Sequence, residues 1–247
     1  MTDEVRKFYE YAVNGIHFIF EGDRELLEKI VAVWKRIKPF EQPDIILMLD
    51  DKVLAIEHFE FDASSSSRKG SLDKRKLAER NREFDKLIQN SDISSEPLVL
   101  TDSIDCLYSA DNYIGNFKSV FEKHLAKVAE YKSHLISENI VRQVEDIIMC
   151  FFIIDSTPLG CYYQENDLKH FEAFQVRECL ELISKAKEID CFFFGSCVGG
   201  KNSLEFISNC PEVIEFIKEK IRIIDFSEDS FFVFEPHETR FCMKVNE

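Results

Sequence analysis

Two carboxylates separated by a short hairpin are the residues of this chain best placed to do chemistry. Asp44 follows Pro43 at the head of the apolar run Ile45 to Leu49, and Glu57 interrupts a second run, Val53 to Phe61. Two acids on adjacent strands supply hard oxygen ligands, the donor set preferred by Mg²⁺ and Mn²⁺. An ionised Glu57 among Val, Ala and Phe must be paired with a cation, bound to a metal, or driven neutral.

Strand alternation decides which acids can meet. Val53, Ala55, Glu57, Phe59 and Phe61 share one face, and Leu54, Ile56, His58, Glu60 and Asp62 share the other. A two-residue turn at Asp51-Lys52 pairs Asp44 with Phe59. That sets it diagonal to Glu57 and on the same face, about 7–8 Å away. A three-residue turn changes the parity and sets Asp44 beside His58 and Glu60, an alternative site.

These residues resemble the PD-(D/E)xK nuclease superfamily. The matching motif is Pro43-Asp44 followed by Glu57-His58-Phe59, within residues 22–102. The resemblance implies a restriction-endonuclease-like core, Mg²⁺ or Mn²⁺ held by Asp44 and Glu57, and hydrolysis of phosphodiester bonds in nucleic acid. It also implies a catalytic lysine two residues after the second acid, where this chain has Phe59. Lys69, Lys74 and Lys76 are the nearest replacements, and Glu28 of the preceding helix offers a third acid. Loss of the lysine also fits a catalytically inactive member that binds protein or nucleic acid.

The candidate lysines belong to a basic island, residues 68–82. Seven Lys or Arg stand there against Asp73 and Glu79, a local charge of +5 in a chain of net −15, so the remainder carries −20. Arg68, Lys69, Lys74, Arg75 and Lys76 are accordingly expected to meet a nucleic-acid backbone. The acidic remainder favours a protein partner.

A competing phosphate-binding pattern, G-x-x-x-x-G-K, runs through Gly195, Gly200 and Lys201. It has Asn202 where Ser or Thr should hold Mg²⁺, and too few residues follow for a nucleotide-hydrolysing domain. The segment reads as a Gly-rich strand-to-helix loop.

The elements that must position these groups alternate. Helices are expected over 24–38 (apolar face Leu27, Ile30, Val31, Trp34 and Ile37), 72–90, 111–137, 174–187 and 211–220. Strands are expected over 97–101, 144–154 and 189–194, with a closing hairpin of 221–226 and 231–234. This alternation predicts an α/β fold with a mixed sheet flanked by helices, residues 1–155 forming the core and 156–247 a C-terminal α/β extension. With 45% hydrophobic residues the 247-residue chain can bury a sizeable core. No apolar run reaches the ~20 residues of a membrane span, so a soluble, cytoplasmic protein is expected. The eight scattered cysteines read as small core residues in a reducing compartment, and His124 and His134 as surface or packing residues. Usage rich in Lys, Ile, Phe and Asn fits a bacterial source.

Overall fold

The computed structural model describes residues 2–67, 70–90, 99–103, 108–157, 160–164, 167–198, 201–226, 232–234 and 238–242. Its frame is a seven-stranded mixed sheet. The strands are β1 (His17–Phe18), β2 (Lys38–Pro39), β3 (Ile45–Leu49), β4 (Lys52–Phe61), β5 (Ile147–Asp155), β6 (Cys191–Val198) and β7 (Lys201–Ser208), in the spatial order β1-β7-β6-β5-β4-β3-β2. The three central strands, β4, β5 and β6, run parallel. β3 and β7 flank them antiparallel.

Helices cover both faces. On one lie α1 (Asp3–Ala12) and α2 (Arg24–Val33), whose Phe8, Leu27 and Ile30 pack on Leu54, Ile56, Phe152 and Phe193. On the other lie α4 (Ala110–Leu125), α5 (Val128–Ser137), α6 (Arg177–Lys185) and α7 (Pro211–Lys220), packed on Ala55, Phe59, Phe61, Phe151 and Phe192. α3 (Leu72–Asn90) carries most of the basic island. The central strand β5 is covered on both sides, which is why IIMCFFIID is apolar without alternation. The expected α/β class with a mixed sheet flanked by helices is therefore observed.

Several local expectations are corrected. The helix over 24–38 stops at Val33, continues as a 3₁₀ turn Trp34–Arg36, and gives way to edge strand β2; Val31 is 43% exposed, not core. The helix over 111–137 is broken between Leu125 and Val128. The closing hairpin does not form: Ile224 bridges Val176, and Phe232–Phe234 pairs with Gly160–Gln164. The short strand over 97–101 appears as Val99–Ser103, paired with Glu238–Cys242. β6 lies hydrogen-bonded along β5, so strands from before and after the expected boundary share one sheet.

The glycine-rich segment is also corrected. Gly195 to Val198 continue β6 and pair with β7, Cys197 opposite Asn202 and Val198 opposite Lys201. Gly195 to Val198 thus lie in a ladder, and a strand, Lys201–Ser208, stands in place of the expected helix; Gly199 and Gly200 lie outside the described residues. Gly195 is there for packing. A Cβ at that position would lie 2.9 Å from Tyr11 Cδ1 and 3.3 Å from Phe152 Cε2.

Cys150, Cys179 and Cys191 are buried small residues as expected, whereas Cys197 is exposed. Among the described residues no helix is long and apolar enough to cross a membrane.

Candidate functional site

The β3–β4 register resolves the turn. Leu49 pairs with Lys52 and Ile45 with Ile56, so the two turn residues are Asp50 and Asp51. Each partner is shifted by two residues from the expected register, which leaves the parity of the two-residue turn unchanged. The strand begins at Ile45, opposite Ile56, so Asp44 lies just outside the ladder and the expected pairing of Asp44 with Phe59 does not form. The carboxylate still meets β4: the His58 backbone N–H donates to Asp44 Oδ2 at 2.8 Å. The Phe40 N–H in turn donates to the Asp44 carbonyl at 2.8 Å, closing the turn that contains the cis Gln42–Pro43 peptide.

Glu57 is 6% exposed and is satisfied from the covering helices. Tyr131 of α5 donates its hydroxyl to Glu57 Oε1 at 2.6 Å, and His124 Nδ1 of α4 lies 2.7 Å from the same oxygen. Helix phase explains how both arrive. Ser109 caps α4 by accepting from the Asn112 N–H. Phe117 and Phe121 then bury against Phe59 and Phe61, and the next turn carries His124 over Glu57. The break after Leu125 restarts the helix so that Val128, Tyr131 and Leu135 face the sheet.

Electrostatics mark the pair as unusual. Burial, then the neighbouring Glu57 charge, raises the Asp44 pKa to about 6, against the lowering effect of the His58 N–H. Burial and its bond to Glu57 raise the Tyr131 pKa, so the phenol stays a donor. Hydrogen bonds occupy one oxygen of each acid, Asp44 Oδ2 and Glu57 Oε1, and among the described residues no donor engages Asp44 Oδ1 or Glu57 Oε2.

The remaining predicted residues are distributed as follows. His58 and Glu60 point to the opposite face, where Glu60 pairs with Lys7 of α1 and the His58 ring packs on Phe152 at 5.1 Å. That face gains Lys7 and not Asp44. Glu28 is exposed on α2, beyond the sheet from Glu57. Arg68 and Lys69 lie outside the described residues. Lys74 is placed on α3 by its backbone alone, Arg75 is exposed and Lys76 half-buried. Arg80 of the same island is 5% exposed, so it belongs to the interior and not to a phosphate-facing surface.

His124 also covers the residue two positions after Glu57. Its ring stacks on Phe59, centroids 4.8 Å apart and planes 17° from parallel. Its placement three residues after Phe121 is the signal for this contact; of the expected surface or packing roles the structure gives it packing. Tyr131 carries the analogous signal, three residues after Val128.

Among the described residues no group of three or more His, Cys, Asp or Glu side chains is arranged to hold a metal ion. Two carboxylates with a free oxygen each still fit Mg²⁺ or Mn²⁺, since Mg²⁺ commonly takes one or two protein carboxylates and completes its shell with water and phosphate. No protein-family model, curated protein or solved structure matches this chain. The class that stands on the fold is an α/β protein with a seven-stranded mixed sheet.

Proposed function

We propose that this chain is a divalent-metal-dependent, nuclease-like protein that hydrolyses phosphodiester bonds in nucleic acid, with Asp44 and Glu57 as the ligands of Mg²⁺ or Mn²⁺. The observation that carries the reading is a pair of carboxylates near enough for their charges to interact, the Asp44 pKa being raised to about 6 by burial and then by Glu57, each with one oxygen that no donor among the described residues engages. The order of elements supports it: α2, the β3–β4 hairpin, α4 and α5, then β5 parallel to β4, in keeping with a restriction-endonuclease-like core.

A bound Mg²⁺ or Mn²⁺ supplies an acidified water and charge stabilisation at phosphate. The chain's own residues do the rest. Tyr131 and His124 hold the Glu57 carboxylate in one orientation, as outer-shell partners do for metal ligands. The exposed cations of residues 68–82 would guide the nucleic-acid backbone.

A second reading is a nuclease-fold protein that binds without cleaving, through the island to nucleic acid or through its acidic surface to a protein. Phe59 in the lysine position favours it. Calorimetry with Mn²⁺ and cleavage assays on single-stranded DNA, duplex DNA and RNA separate the two. The first requires metal binding and cleavage that both vanish in Asp44→Asn and Glu57→Gln. Retained cleavage in those variants would exclude it, and absence of metal binding and cleavage in the parent chain would favour the second.

A further inference from the structure

On the outer side of the turn that presents Asp44 lies an open cavity of about 500 Å³, lined by Thr2, Pro39, Phe40, Glu41, His134 and Glu138. Its floor is aromatic: the Phe40 and His134 rings lie 5.2 Å apart and 38° from parallel. His134 is fixed in place, with Nδ1 2.9 Å from the Gln42 carbonyl and Nε2 3.7 Å from Glu138 Oε1. The rim is acidic, because Glu41 is exposed and the Glu138 side chain is 57% exposed. Among the described residues the lining contains no lysine or arginine.

We infer that this cavity takes an arginine side chain presented by a basic partner protein. A guanidinium is planar, stacks on aromatic rings, and engages carboxylates through its forked N–H groups. The cavity offers those two surfaces side by side. An anionic guest such as a nucleotide phosphate would instead face Glu41 and Glu138 together. The long-range field agrees, since the chain outside residues 68–82 carries −20. The inference does not rest on metal binding at Asp44 and Glu57, neither of which lines the cavity. The two places are nonetheless joined, because Phe40 bonds the Asp44 carbonyl and His134 the Gln42 carbonyl.

The test is a nuclear magnetic resonance titration of the isotopically labelled full chain with the peptide acetyl-Ala-Arg-Ala-amide. The expected result is saturable movement of the Phe40 and His134 ring signals, weaker with the lysine peptide, and at least tenfold weaker in Glu41→Gln/Glu138→Gln. Glu138→Gln alone, at an exposed position, gives an intermediate loss without a change in melting temperature. Unmoved ring signals, equal binding by the double variant, or a larger response to cytidine monophosphate than to the arginine peptide would each overturn the inference.

Discussion

Phe59 and His124 stack almost face to face, their ring centroids 4.8 Å apart. One residue stands where a nuclease of the resembled kind keeps its lysine; the other arrives from a helix and fills the space above it. The contact makes the position both a core site and the edge of the acidic pair, and that double role governs what substitutions there will do.

Reinstating the lysine should therefore fail. Phe59 is 4% exposed and packs edge-on against Phe121 and Phe151. Phe59→Lys removes that ring and buries an ammonium, at a cost of about 3 kcal/mol or more. Urea unfolding is expected to show the loss, with no gain of cleavage. A folded, more active Phe59→Lys protein would contradict this arrangement.

Tyr131 and Glu57 should be energetically coupled. Tyr131→Phe deprives a buried carboxylate of one donor and should cost about 1–3 kcal/mol. The same change in a Glu57→Gln background should cost less, and a double-mutant cycle measures the difference. Additive effects would mean that the 2.6 Å hydrogen bond contributes little.

Stability should fall as Asp44 ionises. Its carboxyl has a pKa of about 6 in the folded chain against an ordinary value of 3.8, so the folded state binds more protons between those values. Unfolding free energy thus decreases as pH rises from about 4 to about 6, and the penalty is complete at neutral pH. Asp44→Asn removes it: melting is expected to rise at pH 7.5, by roughly 1–2 kcal/mol of stability, with no advantage remaining near pH 4. Asp155, raised to about 6 by burial against the lowering bonds of Thr157 and Tyr113, adds a component of the same sign. Equal gains at both pH values would show that ionisation is not the cause.

Gly195→Ala should destabilise by about 1–3 kcal/mol, because its methyl meets the Tyr11 ring and Phe152 in a packed interior. ATP and GTP are expected to leave the melting temperature of the parent chain unchanged. A nucleotide-induced rise would restore the phosphate-loop interpretation of this segment.

The acidic pair was legible because each member breaks a pattern. Glu57 is the one charge on an otherwise apolar strand face, and Asp44 follows a proline at a strand start. The register was missed by two residues, since Asp50, Asp51 and Lys52 all tolerate a turn and moving the turn back one position shifts every cross-strand partner by two. His124 and Tyr131 were harder to find because they reach Glu57 across 67 and 74 residues of sequence. The only local trace is their place on apolar helical stripes, where an ordinary packing residue looks the same. The glycine-rich segment misled for a related reason: G-x-x-x-x-G-K describes spacing, while the closeness of Tyr11 and Phe152 to Gly195 is a tertiary fact.

The pairing of β1 with β7 has a consequence for how the molecule assembles. His17 and Phe18 find their ladder partners in Glu205 and Phe206, nearly the whole chain away. During synthesis, β3 can fold back on β4 long before that edge is available, whereas α1, whose Phe8 packs on Phe193, waits for β6. The last closure must then wait for a late-emerging hairpin, and such distant contacts are entropically slow to form. A nascent chain halted after β5 would carry a finished acidic pair beneath α4 and α5 and an open β5 edge, a partly built species on which chaperone contact, not catalysis, would be the first event.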